Sequence, residues 1–348
     1  MKKPRDLNDY RDLLSRITIP HPAFELAGVE LERAYDSVGR TSFPQCFQLL
    51  GPSRAGKTCV IKRFVAKYPP VREPERLHVR VVYAPIPPKG TPAGVMENLL
   101  KALGDPMWAR GSQTNKLSRL LTLLEKCGCR MIVFDEFQHL IDKGQNQTLK
   151  QTRDWLKALV EPNQWALVAS GLSDSRSAID QDEQLRGRFD PFVAIRRFDW
   201  GDAELHEQFR GVLSAFQQAM TPFDLPSLEG DEMALRMYLA TGGLIGLLVK
   251  LLHRAVEDAI RAKRVTISKA QLELAFRRAI RFASDIPSGK GPFEVPLVGV
   301  AVEPHLEQVV RLATTCDAPP DPPPSNTKPA SGRRKTNMQH KRDLAEAI

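Results

Sequence analysis

Apolar positions fall into two rhythms along this chain. From residue 44 onward, short continuous apolar runs alternate with segments of helical period. QCFQLL (45–50), LHVRVVYAP (77–85), CRMIVFDEF (129–137), WALVASG (165–171) and FVAIRRF (192–198) are such runs. Their length and the turn residues that bound them read as buried strands. Between them TCVIKRFVAKY (58–68), TPAGVMENLLKALG (91–104), NKLSRLLTLLEKC (115–127) and LKQTRDWLKALVE (149–161) carry a helical period. The second of these has proline near its start and glycine after its end, as helix termini favour. Strands alternating with helices predict an α/β fold, a five-stranded parallel sheet covered on both faces.

The flanks differ. Residues 1–43 read as a helical lead-in. Tyr10, Leu13, Leu14 and Ile17 lie at helical spacing, a break falls at Ile19-Pro20-His21-Pro22, and FELAGVELERAY (24–35) follows as a second helix. Beyond the sheet core, 44–200, the strands cease. Segments 202–220, 231–240, 244–262 and 269–280 are helical, which predicts a small helical lid over 201–283 and a helical extension over 284–316. DAPPDPPPSNTKPA (317–330) holds six prolines and reads as an extended linker. The basic-to-amphipathic end of 317–348 then reads as a tethered docking arm.

Composition narrows the class. Of 348 residues 42% are hydrophobic and 26% charged, a globular balance. The net charge of +9 points to a polyanionic partner, nucleic acid foremost. No run of 18 apolar residues occurs and the first residues lack an apolar signal core, so the expectation is a cytoplasmic protein with no membrane span. Five cysteines, Cys46, Cys59, Cys127, Cys129 and Cys316, match neither a disulfide framework nor a zinc site, and read as buried free thiols.

The chemistry is concentrated in GPSRAGKT, residues 51–58. Gly51, Pro52, Ser53, Arg54, Ala55, Gly56, Lys57 and Thr58, with Cys59 beyond them, follow a strand and open a helix, the context a phosphate-binding loop requires. Glycines let backbone N–H groups turn toward phosphate oxygens, and the helix N-terminus adds its positive end. Lys57 would reach the outer phosphates of ATP and Thr58 would hold Mg2+. Asp135 and Glu136, ending MIVFDE, supply the complementary carboxylates: Asp135 for the metal, Glu136 as general base for the attacking water. His139 reads as a supporting or surface residue. Ser170, at the end of WALVAS, is placed to sense the terminal phosphate or is simply a strand-end serine. Arg186 and Arg188, in DEQLRGRFDPF (182–192), are candidates to stabilise phosphoryl charge on a neighbouring subunit's nucleotide.

This order of loop, acidic strand, polar strand end, late arginine and helical lid resembles an AAA+ ATPase. Pro20-His21-Pro22, GPSRAGKT, FDEFQHL, LVASG, DEQLRGRFDPF and TGGLIGLLVKLLHRA (241–255) resemble the TniB/TnsC family, regulators of transposons including CRISPR-associated ones, over roughly residues 10–282. The resemblance implies a homo-oligomeric ring or helical filament on double-stranded DNA. It also implies links to a TniQ-like target-selection protein and a transposase, disassembly on hydrolysis, and action of Arg188 in trans. Many AAA+ lids place an arginine where this chain has Gly242-Gly243-Leu244-Ile245; Lys250 and Arg254 come later on that helix. Basic residues after the second strand, Lys89, Arg110, Lys116 and Arg119, are the expected phosphate contacts, and residues 317–348 the expected transposase-docking segment. The alternatives are a replication-initiator or helicase-loader-like protein, and a signalling ATPase that binds no DNA.

Overall fold

The computed structural model describes residue 14, residues 17–88, 90–141, 146–221, 223–280, 289–297, 304–307 and residue 309. The chain divides into two compact units. One is Pro22–Arg196; the other joins the described residues up to His21 with those from Arg197 onward.

The first unit is built on a sheet of five parallel strands: β1 (Phe47–Leu50), β2 (Val81–Pro85), β3 (Met131–Asp135), β4 (Ala166–Gly171) and β5 (Val193–Ala194). Their spatial order is β2-β3-β4-β1-β5. The first strand in sequence thus sits inside the sheet, between β4 and β5. Side chains alternate between the faces with the period of two that a strand imposes. Met131 and Val133 of β3, with Ala166 and Val168 of β4, pack on α1 (Pro22–Ser37) and α2 (Lys57–Val65). Ile132, Phe134, Leu167 and Ala169 face the other layer, formed by α3 (Pro92–Ala102), α4 (Gln113–Lys126) and α5 (Asn146–Val160). This is the parallel sheet with two helical layers that the alternating pattern implies.

Three expected elements take a different form. The run 77–85 is not one strand. Leu77–His78 pairs antiparallel with Val71–Arg72 in a separate hairpin, the amide of Val79 donates to Cys127 O, and only Val81–Pro85 joins the sheet. The run 192–198 contributes two residues to the ladder. Ile195 N still donates to Leu50 O, whereas Phe198 N donates to Gly243 O within the second unit. Of the helical extension expected over 284–316, residues 289–297 form a chain of turns held by side chains, while 304–307 are helical. Arg236 Nη1 donates to Pro292 O (2.6 Å) and Val295 O (2.9 Å), and Phe293 N donates to Glu273 (3.1 Å).

The second unit contains α6 (Ala203–Ala219), α7 (Asp231–Thr241), α8 (Ile245–Arg261) and α9 (Lys269–Ala279) around a core of Phe209, Phe216, Tyr238, Leu251 and Phe276. Leu14 and Ile19 of the lead-in join this core, while helix 22–37 joins the sheet, so the lead-in is shared between the units. Asp202 caps α6 through the amides of Glu204 and Leu205, and Ser268 with Gln271 forms a capping box on α9. The double glycine has a steric cause: Gly243 is left-handed (φ 72°), and a Cβ there would lie 2.1 Å from Phe198 O. Of the two basic residues beyond it, Lys250 is exposed and Arg254 is engaged by Asp258 (3.2 Å). Among the described residues no single helix is long and apolar enough to cross a membrane. The 317–348 segment lies outside the described residues, as does Lys89.

Candidate nucleotide site

Parallel strands bring their carboxyl ends to one edge. The register aligns Leu50 with Gly171 and Pro85 with Asp135. The phosphate-loop sequence after β1, the carboxylates ending β3 and Ser170 of β4 therefore converge at the edge where α/β sheets bind ligands. Gly51 is required here because a Cβ would stand 2.1 Å from Ile195 O. Gly56 (φ 107°) and Arg54 (φ 68°) take the left-handed turns that fold the loop back onto α2. Gly56 at the N-cap of α2 brings no side-chain cap, and a helix N-terminus that follows such a loop favours an anion. Ala55 is buried, Ser53 and Arg54 are exposed, and the buried Lys57 ammonium donates to Gly51 O (2.7 Å) and Pro52 O (2.8 Å), held inside the loop.

Asp135 is the hub. Thr58 Oγ1 (2.8 Å) and Tyr83 OH (3.0 Å) donate to its Oδ2; Ser170 Oγ (3.1 Å) and the Glu136 amide (3.0 Å) donate to its Oδ1. Burial and the adjacent Asp135 carboxylate push the Tyr83 phenol well above its ordinary value, so it stays a donor. Glu136 occupies a left-handed backbone position (φ 59°), which turns it out of the strand line. Its Oε2 accepts from Gln138 Nε2 at 2.5 Å. Gln138 is buried in the single turn Phe137–Leu140 and its Oε1 accepts from Leu172 N (3.3 Å), just beyond Ser170. A Cβ on Gly171 would reach within 3.0 Å of that Oε1, so the glycine makes room for the amide. An oxygen-only set of Thr58 and Asp135 beside a phosphate-binding loop suits a hard divalent cation such as Mg2+ with nucleotide. Among the described residues no other cluster of metal-binding side chains occurs.

Sequence reasoning brought together Lys57, Thr58, Asp135, Glu136 and Ser170, and missed Tyr83 and Gln138. Tyr83 was legible as the one hydroxyl in the apolar run VVYAP, but only the pairing of Tyr83 with Val133 shows what it reaches. His139 lies half-buried in the turn after Glu136. Cys59 is exposed at the start of α2, a departure from the expected buried thiols, while burial pushes Cys46 and Cys129 up to about 12 and keeps them inert.

Arg188 lies elsewhere. Phe189 bridges Cys46, which precedes β1, so Arg188 stands at the strand-start end of the sheet. From Cys46 to Gly51 is roughly 16 Å of extended chain. Its guanidinium donates to Asn163 and lies 5.2 Å from the Phe43 ring, a side chain that is itself 63% exposed. Arg186 is exposed. Two expected DNA contacts are instead parts of the fold. Lys116 is buried and paired with Glu97. Arg119 pairs with Asp105 (3.1 Å) and donates to Met107 O (2.9 Å) and Arg110 O (3.0 Å), which braces the loop 105–111. Arg110 is exposed on that loop, next to Met107 and Trp108.

A family model described as bacterial TniB protein matches residues 13–199, more than half of the chain. The chain belongs to the TniB family. No curated protein matches it. Its fold is similar to that of ORC1 from Aeropyrum pernix, solved in complex with DNA, at TM-score 0.57 and 18% identity over 77% of this chain and 69% of that one. It is also similar to Cdc6p from Pyrobaculum aerophilum, at TM-score 0.57 and 15% identity over 96% and 89% of the two chains. A Walker-type ATPase of Pyrococcus abyssi matches at TM-score 0.50 and 15% identity over 76% and 75%. The TniB chain thus has the AAA+ P-loop fold and is an ATPase.

Proposed function

We propose that this TniB-family ATPase assembles through ATP on double-stranded DNA, connects a TniQ-like target-selection protein to a transposase, and is released by hydrolysis. The observation that supports assembly is the place of Arg188: it stands at the far end of the strands from its own phosphate loop, a position suited to the site of a second copy and not to its own. The net charge of +9 suits a DNA platform. A. pernix ORC1, of similar fold, is described in complex with DNA. Arg110 on its braced loop is the retained candidate for phosphate contact, together with Lys89.

The chemistry follows from the residues. The loop amides and Lys57 bind and orient the phosphates. Mg2+ would supply positive charge against the phosphate oxygens. Thr58 and Asp135 would hold that ion. Glu136 takes the proton of the attacking water, and Gln138 fixes the carboxylate for it. Ser170, which donates to Asp135, is the candidate sensor of the terminal phosphate. Arg188 of the adjacent copy stabilises the charge that develops.

Negative-stain microscopy with duplex DNA tests the reading. Rings or filaments are expected with a non-hydrolysable ATP analogue and not with ADP. Isolated particles in both, with DNA affinity that does not fall as salt rises, would turn the assignment toward an ATPase that acts on proteins alone. Deleting residues 317–348 is expected to weaken transposase binding and leave assembly intact.

A further inference from the structure

Four donors meet on one carboxylate, and they are not equivalent. A carboxylate offers about four lone-pair positions, and the described donors to Asp135 number four: Thr58 and Tyr83 on Oδ2, Ser170 and the Glu136 amide on Oδ1. The Glu136 amide belongs to the next peptide unit and holds Oδ1 from the backbone. Ser170 comes from β4, the strand on one side of β3, and Tyr83 from β2, the strand on the other. The carboxylate is therefore gripped from both neighbouring strands, one oxygen by each. Thr58 alone comes from the phosphate loop, and its hydroxyl is the group assigned to the metal when nucleotide is present. Once Thr58 turns to that task, Tyr83 is the side chain left to fix the direction of Oδ2.

We infer that Tyr83 is a positioning residue of the ATPase site, whose phenol holds Asp135 Oδ2 in the orientation that receives the hydrated Mg2+ of MgATP. The inference rests on the ATPase reading and adds to it a member that lies outside the motifs. The tyrosine is half-buried and paired in register with Val133, two residues before Asp135. It thus reaches the carboxylate along the sheet and not through the loop. A purely structural role, satisfying a half-buried phenol, would make removal of the hydroxyl costly for folding but indifferent to magnesium.

Tyr83→Phe separates these roles. Binding of a fluorescent ATP analogue is titrated with Mg2+ on the full chain, and again in excess EDTA, with thermal unfolding followed in parallel. The Mg2+ concentration for half-maximal binding is expected to rise on the order of tenfold, in line with other groups that orient metal ligands, while metal-free affinity stays unchanged. Unchanged Mg2+ dependence in the variant, beside normal Mg2+-dependent binding by the native chain, overturns the inference alone. An equal loss with and without Mg2+ also overturns it, in favour of a structural role. If the native chain shows no Mg2+-dependent nucleotide binding, the ATPase reading falls and takes this inference with it. Tyr83→Trp, which keeps an aromatic body but moves the donor, is expected to behave like Tyr83→Phe; native Mg2+ dependence there would count against the phenol.

Discussion

Asp135 and Glu136 are neighbours with opposite requirements. Asp135 is almost fully enclosed and accepts from four donors, so its carboxylate is part of the folded structure as well as of the site. Asp135→Asn would set an amide N–H₂ against hydroxyl or backbone donors. A stability loss of about 1–3 kcal/mol is expected by denaturant unfolding, together with loss of Mg2+-dependent nucleotide binding. Glu136 turns outward on its left-handed backbone and is partly exposed. Glu136→Gln should leave unfolding and ATP binding near native and cut turnover by about 10²-fold or more, measured as phosphate release. Rapid turnover in that variant would remove Glu136 from the role of base.

At the scale of elements, the loop 105–111 shows how a surface feature is held. One guanidinium, Arg119, spans Asp105, Met107 and Arg110, while Gly111 (φ 97°) packs beside it. Arg119→Ala is expected to cost about 1.5–3 kcal/mol. It should also raise the accessibility of Trp108, read by acrylamide quenching, since Trp155, Trp165 and Trp200 are buried. Native quenching in that variant would show that the brace is dispensable. The same loop marks where sequence reading stops. Strand ends, glycine turns and the acidic pair are local patterns, so the five strands, the phosphate loop and the β3 carboxylates were legible. Whether a basic residue is free or paired depends on residues distant in sequence, as Glu97 is from Lys116 and Asp105 from Arg119. Tyr83 and the split of 77–85 escaped for the same reason, because strand register and the hairpin partner decide them.

For the whole molecule, the separation of Arg188 from its own phosphate loop predicts complementation. Arg188→Ala keeps an intact site without its arginine, and Glu136→Gln keeps the arginine without the base. Each alone should be nearly inactive on DNA, and mixing them should restore measurable phosphate release. Activity no greater than the sum of the two would argue against action in trans. One source of acid sensitivity lies in the second unit. Burial pushes His21 down to about 4, from 6.5, beside the Phe198 ring. The folded state therefore favours neutral His21, and its contribution is intact above about pH 6.5. Stability should fall by up to ~3 kcal/mol as pH drops from there toward 4, because the unfolded chain takes up the proton first. Denaturant unfolding at pH 7 and pH 4.5 checks this, with His21→Phe expected to flatten the difference.

The strand order also sets a timetable for synthesis. The strand that carries the phosphate loop emerges first, yet it pairs with β4, where Phe47 meets Val168, and with β5, where Leu50 meets Ala194. Gly51 is seated against Ile195 and donates to Gly171 O. A nascent chain on the ribosome thus holds an unfinished nucleotide site until residue 195 has left the exit tunnel. ATP can protect the growing chain only late, and the apolar FQLL segment must wait for its partners while more than a hundred residues are added.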